Sequence, residues 1–347
     1  MSTTSTYTVH LATVTEVERL STTFLRIRFA ADSFAGMRSV LPGGESWDAR
    51  VKLLLPSPGH PVPDLRDAGD GWYAAWTALP VQTRGVVRTY TIADVIESDG
   101  PTGRRTEVDV IVVVHLDDGL ATGPAVAWAV AARPGDVIGL LGPDPSAGAL
   151  ADEGIEYRPS GARSVLVAAD ETAVPAALGI ARAMPADQRG AIVLEVPGPE
   201  DELPVGAPAG VAVHWVHRGD STVGERTRAV VDELVRGLLP PAVESAGDRP
   251  APTVVPEGEL LLDDGVIWET ERYRQVLAGP GDAPTTAPTT APATTGRGEY
   301  YVWVAGESSM VTGIRRHLVR HHGLDRRRIA FMGYWKRGSE PDGPAVT

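Results

Sequence analysis

Short apolar runs separated by turn-forming residues dominate the first 145 positions of the chain. Runs rich in Val, Leu, Ile and Thr alternate with Gly, Pro and Asp and cover residues 7–14, 23–29, 50–55, 86–92, 107–115 and 136–141. Several short strands at this spacing are typical of a closed barrel or a sandwich. Segment 123–132 predicts a helix instead, and Pro124 stands near its first turn, where a missing N–H costs nothing.

After residue 146 the pattern changes to strands that alternate with helices. Continuous apolar runs predict buried strands at 163–169, 191–196, 211–216 and 300–305. Helices are predicted between and after them, at 173–184, 223–238 and 307–322. This alternation favours a parallel, doubly wound sheet. We therefore predict an antiparallel β-barrel over residues 1–147, followed by a parallel-sheet α/β domain over residues 160–338.

Two stretches interrupt these patterns and are predicted to be insertions. Residues 56–83 are rich in Pro, Gly and Asp, show little periodicity and predict a loop. Residues 278–298 contain the near-repeat APTTAPTTAPATT, which can bury almost nothing and predicts a disordered linker. A short amphipathic piece before that linker, 265–277 with Trp268, is a candidate helix, and the tail after Gly338 is expected to be loose.

Composition limits the chemistry available to the chain. Its 347 residues include no cysteine, which excludes disulfides, thiolate nucleophiles and Cys-ligated zinc or iron–sulfur clusters. The 32 basic residues against 45 acidic ones give a net charge of −13, so we expect no general binding to nucleic acid or membrane. The N-terminus has no secretory-signal pattern, and no apolar run is long enough to span a bilayer. We expect a cytoplasmic protein and a monomer.

The first segment with chemical content is Arg88-Thr89-Tyr90-Thr91. It fits the R-x-Y-S/T pattern of the ferredoxin-reductase superfamily, in which the Arg neutralises the flavin pyrophosphate, the Tyr stacks on the isoalloxazine and the hydroxyl residue hydrogen-bonds the ring. Alternation along a strand places Arg88 and Tyr90 on one side and Thr91 on the other. Four residues also fit an ordinary strand with one exposed Arg.

A second segment resembles the flavin-binding part of siderophore-interacting proteins, which runs roughly D-x-V-x-H, G-P-A-S-x-W-A, P-G-D and G-P. The matching residues include Asp109, His115, Gly123, Pro124, Ala125, Trp128 and Asp136. The resemblance implies that the strand ending near His115 and the start of the 123–132 helix hold the flavin phosphates, since free N–H groups and the helix dipole attract anions. Taken alone, Trp128 fits core packing equally well.

Two further segments resemble the nucleotide-binding part of the same family. Asp170-Glu171-Thr172 lies in a stretch close to G-D-E-T-A-L-P-A, where a strand enters a helix at the usual ligand edge of such folds. Gly306-Glu307 and Tyr334-Trp335 match the closing W-x-A-G-E and G-Y-W-x-x-G patterns. The resemblance implies cofactor contacts at all of these positions. The two carboxylates also fit helix N-terminal charges, and the aromatic pair fits packing.

These matches identify a resemblance to the siderophore-interacting protein family across most of residues 7–145, 160–218 and 299–338. It implies a barrel that binds FAD and an α/β domain that binds NADPH or NADH. The implied activity moves electrons from NAD(P)H through FAD to a ferric siderophore and releases Fe(II). The iron arrives with its substrate, so no protein metal site is expected, and no catalytic side chain is assigned. The candidate contacts for the often anionic substrate are Lys52, Lys336 and Arg337.

The chain also departs from the family pattern, and these departures leave alternatives open. Ala93 and Ala127 stand where basic residues are common, Val126 replaces a phosphate-binding Ser, and Ala169 replaces a Gly. These departures imply a lower affinity for FAD or for an anionic substrate. One alternative is a general NAD(P)H:flavin oxidoreductase with a non-iron acceptor. Another is a non-catalytic relative that binds siderophore or flavin. The sequence chooses neither between NADH and NADPH nor among siderophores.

Overall fold

The N-terminal part of the chain forms a closed antiparallel barrel. The computed structural model describes residues 6–100, 103–117, 120–121, 123–238, 268–270 and 300–338. Around the barrel the strand order is β1–β2–β5–β4–β3–β8, with bounds β1 (Tyr7–Arg19), β2 (Phe24–Ala30), β3 (Arg50–Leu55), β4 (Val86–Gly100), β5 (Gly103–Val113) and β8 (Val137–Pro143). Two short strands, β6 (Leu116–Asp117) and β7 (Leu120–Ala121), form a separate pair. The predicted barrel is confirmed.

Alternate side chains fill the barrel interior. On β2, Leu25, Ile27 and Phe29 are buried in the same cluster as Val112, Val110 and Val108, the residues that lie opposite them on β5. Three helices accompany the barrel: α1 (Met37–Val40), α2 (Trp72–Ala78) and α3 (Pro124–Ala131). Helix α3 packs against β4 and β5 and is the helix predicted over residues 123–132.

The insertion over residues 56–83 is not simply a loop. It contains α2 and a 3₁₀ segment, Arg66–Gly71. Trp76 of α2 is buried, and its indole N–H donates to the carbonyl of Arg84 at 2.9 Å. The Arg84 guanidinium lies 4.4 Å from the centre of the same ring. Sequence periodicity missed this helix because it is only seven residues long, too short for a repeat to show.

The C-terminal part of the chain is an α/β domain around one sheet. The strand order is β11–β10–β9–β13–β14–β12, with bounds β9 (Ser164–Ala169), β10 (Arg189–Val196), β11 (Val211–His217), β12 (Trp268–Glu269), β13 (Tyr300–Glu307) and β14 (Ile329–Trp335). The helices are α4 (Val174–Ala183), α5 (Glu225–Leu238) and α6 (Ser308–Arg316). Five strands are parallel. Four of them lie where the sequence predicts strands, and β14 was not predicted. The two-residue edge strand β12 is antiparallel to β14.

Trp268 therefore lies in a strand and not in the candidate helix over residues 265–277. Residues 265–267 and 271–277 of that piece, the Thr/Pro-rich stretch over residues 278–298 and the tail after Gly338 lie outside the described residues. Among the residues that the structure does describe, no helix combines the length and the apolar character needed to cross a membrane.

A buried polar network joins the barrel to the α/β domain. The Asp48 carboxylate accepts hydrogen bonds from the backbone N–H groups of Glu156 and Tyr157 and, at 3.1 Å, from the indole N–H of Trp303. Burial raises the pKa of Asp48 to about 6. Glycine at position 179 of α4 permits close packing here, because a Cβ would stand 2.0 Å from the carbonyl oxygen of Trp47. The two domains are thus packed together tightly.

Candidate functional site

The carboxyl ends of β9 and β13 lie side by side at one edge of the sheet. The two strands are parallel neighbours, with Ala169 opposite Ala305. From β9 the chain proceeds to β10 on one side, whereas β13 lies on the other, so the strand order reverses here. Open α/β sheets bind ligands at such a reversal. The geometry therefore places Asp170 and Glu307 at the edge where the sequence predicts a cofactor.

Asp170 links three of the segments singled out from the sequence. Its side chain is fully buried, and Oδ1 accepts from the backbone N–H and the hydroxyl of Thr172 at 2.9 and 2.6 Å. Oδ2 accepts from the backbone N–H of Glu307 at 2.7 Å and from the indole N–H of Trp335 at 2.8 Å. Burial and the charge of Glu171 raise the pKa of Asp170 to about 7. One carboxylate thus fixes the ends of β9, β13 and β14.

The side chain of Asp170 leaves room only for glycine at position 306. Its φ of +140° is one that L side chains rarely adopt, and a Cβ would stand 2.5 Å from Cγ of Asp170. The sequence suggested that a glycine here lets a cofactor approach the backbone. In the structure the space beside Gly306 is filled by Asp170, so the glycine is required by the protein itself, and its cofactor role stays a prediction.

Glu307 caps helix α6. Its Oε2 accepts from the backbone N–H groups of Ser309 and Met310 at 2.6 and 2.9 Å, and the side chain is buried. A carboxylate at this position satisfies N–H groups that would otherwise be free and balances the helix dipole. It also occupies the place where a phosphate would bind. The Glu307 side chain therefore disfavours direct phosphate binding at the start of α6.

Glu171 forms a charged cluster that sequence reasoning missed. It is 1% exposed, and its two oxygens receive the Arg218 guanidinium in a bidentate pair at 2.6 and 2.9 Å. Arg218 also lies 3.4 Å from Glu195, whose side chain is fully buried. His115, from the barrel, approaches Glu171 at 3.6 Å. The two adjacent carboxylates, 170 and 171, are thus interior groups with their own partners and not exposed helix charges.

The role of Arg218 could have been predicted from its position in the sequence. It follows β11 directly, at the same carboxyl edge as Asp170, and a charged residue that follows a buried parallel strand points to a ligand edge. Its guanidinium is only 13% exposed, which fits a role in holding Glu171 and Glu195 together.

The aromatic residues at the end of β14 have different neighbours. Trp335, which donates to Asp170, lies 6.3 Å from the His115 ring, so the barrel and the sheet edge meet here. Tyr334 is half-buried and stacks on Trp268 of β12, with ring centres 6.2 Å apart and planes at 16°. Tyr334 therefore packs on a residue of its own domain, while Trp335 lies beside a barrel residue.

Strand β4 presents the R-x-Y-T segment as alternation requires. Thr91 is buried, whereas Arg88 and Tyr90 are half-buried. Burial raises the pKa of Tyr90 to about 12, so the phenol stays neutral at physiological pH. One guanidinium nitrogen of Arg88 donates to the carbonyl of Val87 at 2.9 Å.

Helix α3 provides an open, electropositive end close to this strand. A Cβ at Gly123 would meet nothing within 4 Å, and Pro124 opens the helix on its exposed side. Ala125 is buried in the barrel core, and Trp128 stacks on Phe29 at 6.5 Å, which fits its packing interpretation. An open helix start attracts a pyrophosphate, and Arg88 offers a guanidinium on β4, a strand that α3 contacts. The residues present thus fit FAD.

Of the three predicted substrate contacts, Lys52 lies on a barrel strand, whereas the other two follow β14 of the α/β domain. Lys52 of β3 is half-buried, lies opposite Thr89 of β4 and places Nζ 3.3 Å from the Thr89 hydroxyl. Because side chains alternate along a strand, Lys52 lies on the other face of this strand pair from Tyr90. Burial and the charge of Arg50 lower the pKa of Lys52 to about 8.

The other two contacts, Lys336 and Arg337, directly follow Trp335 and are exposed. The backbone N–H of Arg337 donates to the capping carboxylate of Glu307 at 3.3 Å, so the position of this segment is tied to the sheet edge. Lys52 and Lys336 are the only two lysines in the sequence, and the other 30 of its 32 Lys and Arg residues are arginines.

A cleft of about 510 Å³ opens beside the sheet edge, between the starts of α5 and α6. Sequence reasoning did not assign it. Its lining includes Thr222, Glu225, Arg228, Glu307, Ser309 and Arg337. Two guanidinium groups and two hydroxyls in this lining are donors of the kind that phosphates and sugars require.

The departures from the family pattern have structural counterparts. Ala93 is buried where the domains meet, and its carbonyl accepts a hydrogen bond from the guanidinium of Arg182 in α4. A guanidinium thus reaches this point from the other domain. Val126 packs on the barrel core, Ala169 is fully buried, and Ala127 is exposed.

Comparison with known proteins places both domains in one family. Residues 13–147 match the siderophore-interacting FAD-binding domain, and residues 162–338 match the siderophore-interacting protein domain. An uncharacterized protein of Mycobacterium tuberculosis is 37% identical over 263 residues, which are 75% of this chain and 68% of the relative. The ferric vibriobactin reductase of Vibrio cholerae is 21% identical over 93% of this chain and 88% of its own length.

Solved structures share the fold. The siderophore-interacting protein SipS of Aeromonas hydrophila has a TM-score of 0.56 at 24% identity and covers 96% of this chain and 94% of its own. A siderophore utilization protein from T. fusca has a TM-score of 0.57 at 24% identity and covers 97% and 96%. With both domains matched over more than half of its length, the chain belongs to the siderophore-interacting protein family.

Proposed function

We propose that the protein is a flavin-dependent reductase that uses NAD(P)H to reduce iron in a ferric siderophore and so releases Fe(II). The observation that carries the proposal is the position of Asp170, whose carboxylate joins the ends of β9, β13 and β14 beside a barrel residue, His115. The proposed NAD(P)H edge and the FAD-binding barrel therefore meet. A reductase of this kind needs both binding sites at one junction.

In this proposal FAD is held at the barrel end of the junction. Arg88 and the open start of α3 at Gly123 supply positive potential for its pyrophosphate, and Tyr90 and Thr91 are the proposed ring contacts. FAD supplies the conversion of a hydride into single electrons, which iron requires. The protein contributes position, exclusion of water and charge.

NADPH or NADH is proposed to bind at the carboxyl edge of the sheet. The cleft between α5 and α6 offers Thr222 and Arg228 for its phosphates and sugars. Glu307 and Glu225 in the same lining oppose phosphate, so we place phosphate contacts on the Arg228 side and away from the capped start of α6. Thr172, half-exposed at the β9 end, is the nearest candidate for the nicotinamide.

The siderophore is proposed to dock where Lys336 and Arg337 leave the sheet edge, with Lys52 as a further contact. Ferric siderophores are often anionic, and these side chains provide positive charge on a chain of net charge −13. The chemistry of release follows from the metal, because the hard oxygen ligands of siderophores hold Fe(III) better than Fe(II).

Anaerobic trapping of ferrous iron tests the proposal. The purified chain is loaded with FAD, supplied with NADH or NADPH and mixed with a panel of ferric siderophores, and a ferrous chelator reports Fe(II). We expect the flavin absorbance to bleach and Fe(II) to appear. Bleaching without Fe(II) from any siderophore would support a reductase with another acceptor, and no bleaching with either nicotinamide would support a binding protein.

A matched pair of variants tests the FAD contacts. Arg88→Ala should weaken FAD binding about tenfold or more, because it removes a charge-assisted phosphate contact. Arg104→Ala is the control, since Arg104 is exposed on the β4–β5 hairpin, where it pairs with Glu97. Flavin fluorescence titration measures both affinities, and equal affinity for the two variants would overturn the placement of the pyrophosphate.

A further inference from the structure

Three side chains on the outer helices of the α/β domain converge on one point. Oδ1 of Asp232, in α5, lies 2.5 Å from Nε2 of His317 and 2.7 Å from Nε2 of His322. The two Nε2 atoms are 3.3 Å apart. The side chains are 14–26% exposed, so the group is half-buried and reachable from solvent.

The backbone is shaped to bring the two imidazoles together. Residues five apart in an α-helix point about 140° away from each other. His317 and His322 share a face because the chain makes a π-helical turn over His317–His321, with the N–H of His322 donating to the carbonyl of His317. Such turns are rare in proteins, and many of those that occur lie at functional sites.

From these observations we infer that Asp232, His317 and His322 form a binding site for a divalent first-row transition metal ion. Two imidazole nitrogens and a carboxylate oxygen are ligands that such ions prefer, whereas Mg²⁺ and Ca²⁺ prefer oxygen alone. Neither the flavin chemistry nor the proposed substrate requires this site. It also departs from the expectation, drawn from the sequence, that the protein has no metal site.

The distances fit an ion with little rearrangement. In a tetrahedral site with metal–ligand bonds of about 2.0–2.1 Å, neighbouring ligand atoms lie about 3.3 Å apart. The His317–His322 separation of 3.3 Å already has this value. The two contacts to Asp232 would lengthen by less than about 1 Å, from hydrogen-bond distance to ligand distance.

The surrounding charges are compatible with metal binding. Arg236 contacts the other carboxylate oxygen of Asp232, Oδ2, and leaves Oδ1 to the two imidazoles. Three protein ligands leave at least one position for water or a small anion. In the described part of the chain, this is the one group of three or more His, Asp or Glu side chains with ligand atoms close enough to share an ion.

The site lies away from the proposed redox junction. Helix α6 starts next to Glu307 at the sheet edge, and its nine residues carry the chain about 14 Å before His317. A bound ion would join α5 to the end of α6, two helices that pack against each other. We therefore assign it a stabilising role in the α/β domain and no part in electron transfer.

Metal titration of the full chain without an affinity tag tests the inference. After treatment with a chelator, ZnCl₂ is titrated by calorimetry, and Co²⁺ is added separately for its visible absorption. We expect one equivalent of Zn²⁺ to bind, the melting temperature to rise until one equivalent is present, and a tetrahedral Co²⁺ spectrum. Mg²⁺ should produce none of these changes.

Variants assign the ligands. Asp232→Asn, His317→Ala and His322→Ala should each weaken Zn²⁺ binding about tenfold or more while FAD binding is retained. His321→Ala is the matched control, because His321 is exposed on the same turn and is not among the three converging groups. Failure of Zn²⁺ to bind stoichiometrically, or binding that survives all three substitutions, would overturn the site.

If a variant fails to fold, X-ray absorption of the Zn²⁺ complex of the unmodified chain replaces it. A shell of two imidazoles and oxygen ligands supports the assignment. A shell of oxygen alone contradicts it.

Discussion

The indole N–H of Trp335 donates to Oδ2 of Asp170 at 2.8 Å, across 165 positions of sequence. The same oxygen receives the backbone N–H of Glu307, and the other oxygen receives two groups of Thr172. Three segments that resemble family motifs therefore share one acceptor. Their residue types can serve the folding of this edge as well as any cofactor, and the two roles can be separated by measurement.

Asp170→Asn should destabilise the protein by about 1–3 kcal/mol. Four N–H or O–H groups donate to the carboxylate, whereas an amide has a single acceptor oxygen, so one pair of donors loses its partner in either amide orientation. Urea unfolding at about pH 8, where the carboxyl group is ionised, measures the change. Asp187→Asn, at an exposed position, is the control and should change the free energy of unfolding by less than about 0.5 kcal/mol.

The size of that effect should depend on pH. Because burial and Glu171 raise the pKa of Asp170 to about 7, the folded protein holds a proton there that the unfolded chain releases near pH 4. Between these values stability from Asp170 falls as pH rises, and above about pH 7 it is constant. Asp170→Asn should therefore destabilise more near about pH 5 than near about pH 8, and an equal loss at both would contradict the raised pKa.

Gly306→Ala and Gly313→Ala form a matched pair on adjacent elements. At Gly306 the added Cβ would collide with Asp170 in a conformation of positive φ, which should destabilise the protein by about 1–3 kcal/mol. At Gly313, inside α6, nothing lies within 4 Å of the new Cβ, so alanine should stabilise by about 0.5–1 kcal/mol. Thermal and urea unfolding measure the change in stability of each variant. Equal changes of the same sign would refute the steric explanation.

Arg218→Met should destabilise the protein by about 3–5 kcal/mol, since it leaves Glu171 and Glu195 buried without their shared cation. The control is Arg226→Met, whose guanidinium is exposed and should contribute less than about 1 kcal/mol. If Glu171→Gln is added to Arg218→Met, part of the loss should be recovered. A loss below about 1 kcal/mol for Arg218→Met would show that water reaches this cluster.

The sequence predicted the barrel and the parallel sheet because their core strands are long, apolar and strongly patterned. All six apolar runs of residues 7–141 became barrel strands, and β9, β10, β11 and β13 lie where continuous apolar runs predicted them. Helix α2 and the edge strand β12 were missed, because seven and two residues are too few for periodicity to reveal. Strand β14 was not predicted either. Short elements depend on tertiary contacts, such as that of Trp76 with Arg84.

The sequence pointed to Asp170 and Glu307 at the ends of predicted strands but not to their hydrogen bonds, and cofactor binding at this sheet edge stays a prediction. The resemblance to family motifs predicted cofactor contacts at Asp170, Glu307 and Trp335. The strand order places the first two at the sheet edge. No local pattern shows that Asp170 accepts from the other two, since this contact spans more than 130 positions. The partnership of Glu171 with Arg218 is equally remote and was missed for the same reason.

Lys52 provides a pH-dependent test of the proposed substrate contact. Burial and Arg50 lower its pKa to about 8, so Lys52 is charged at neutral pH and loses its charge as the pH rises past that value. If the ammonium group holds an anionic ferric siderophore, the KM for that substrate should rise between about pH 7 and about pH 9, by about tenfold. Lys52→Arg should keep the charge and flatten this profile.

The location of Lys52 makes the outcome discriminating. It lies opposite Thr89, on the face of β3 and β4 away from Tyr90, whereas Lys336 is exposed beside Trp335. Lys52→Met should raise KM for ferric siderophore about tenfold at neutral pH and leave the rate of flavin reduction by NAD(P)H unchanged. If the KM changes only in Lys336→Met, the anion contact lies at the end of β14. Lys336 is exposed there and directly follows Trp335, whereas Lys52 lies on the face of β3 and β4 away from Tyr90.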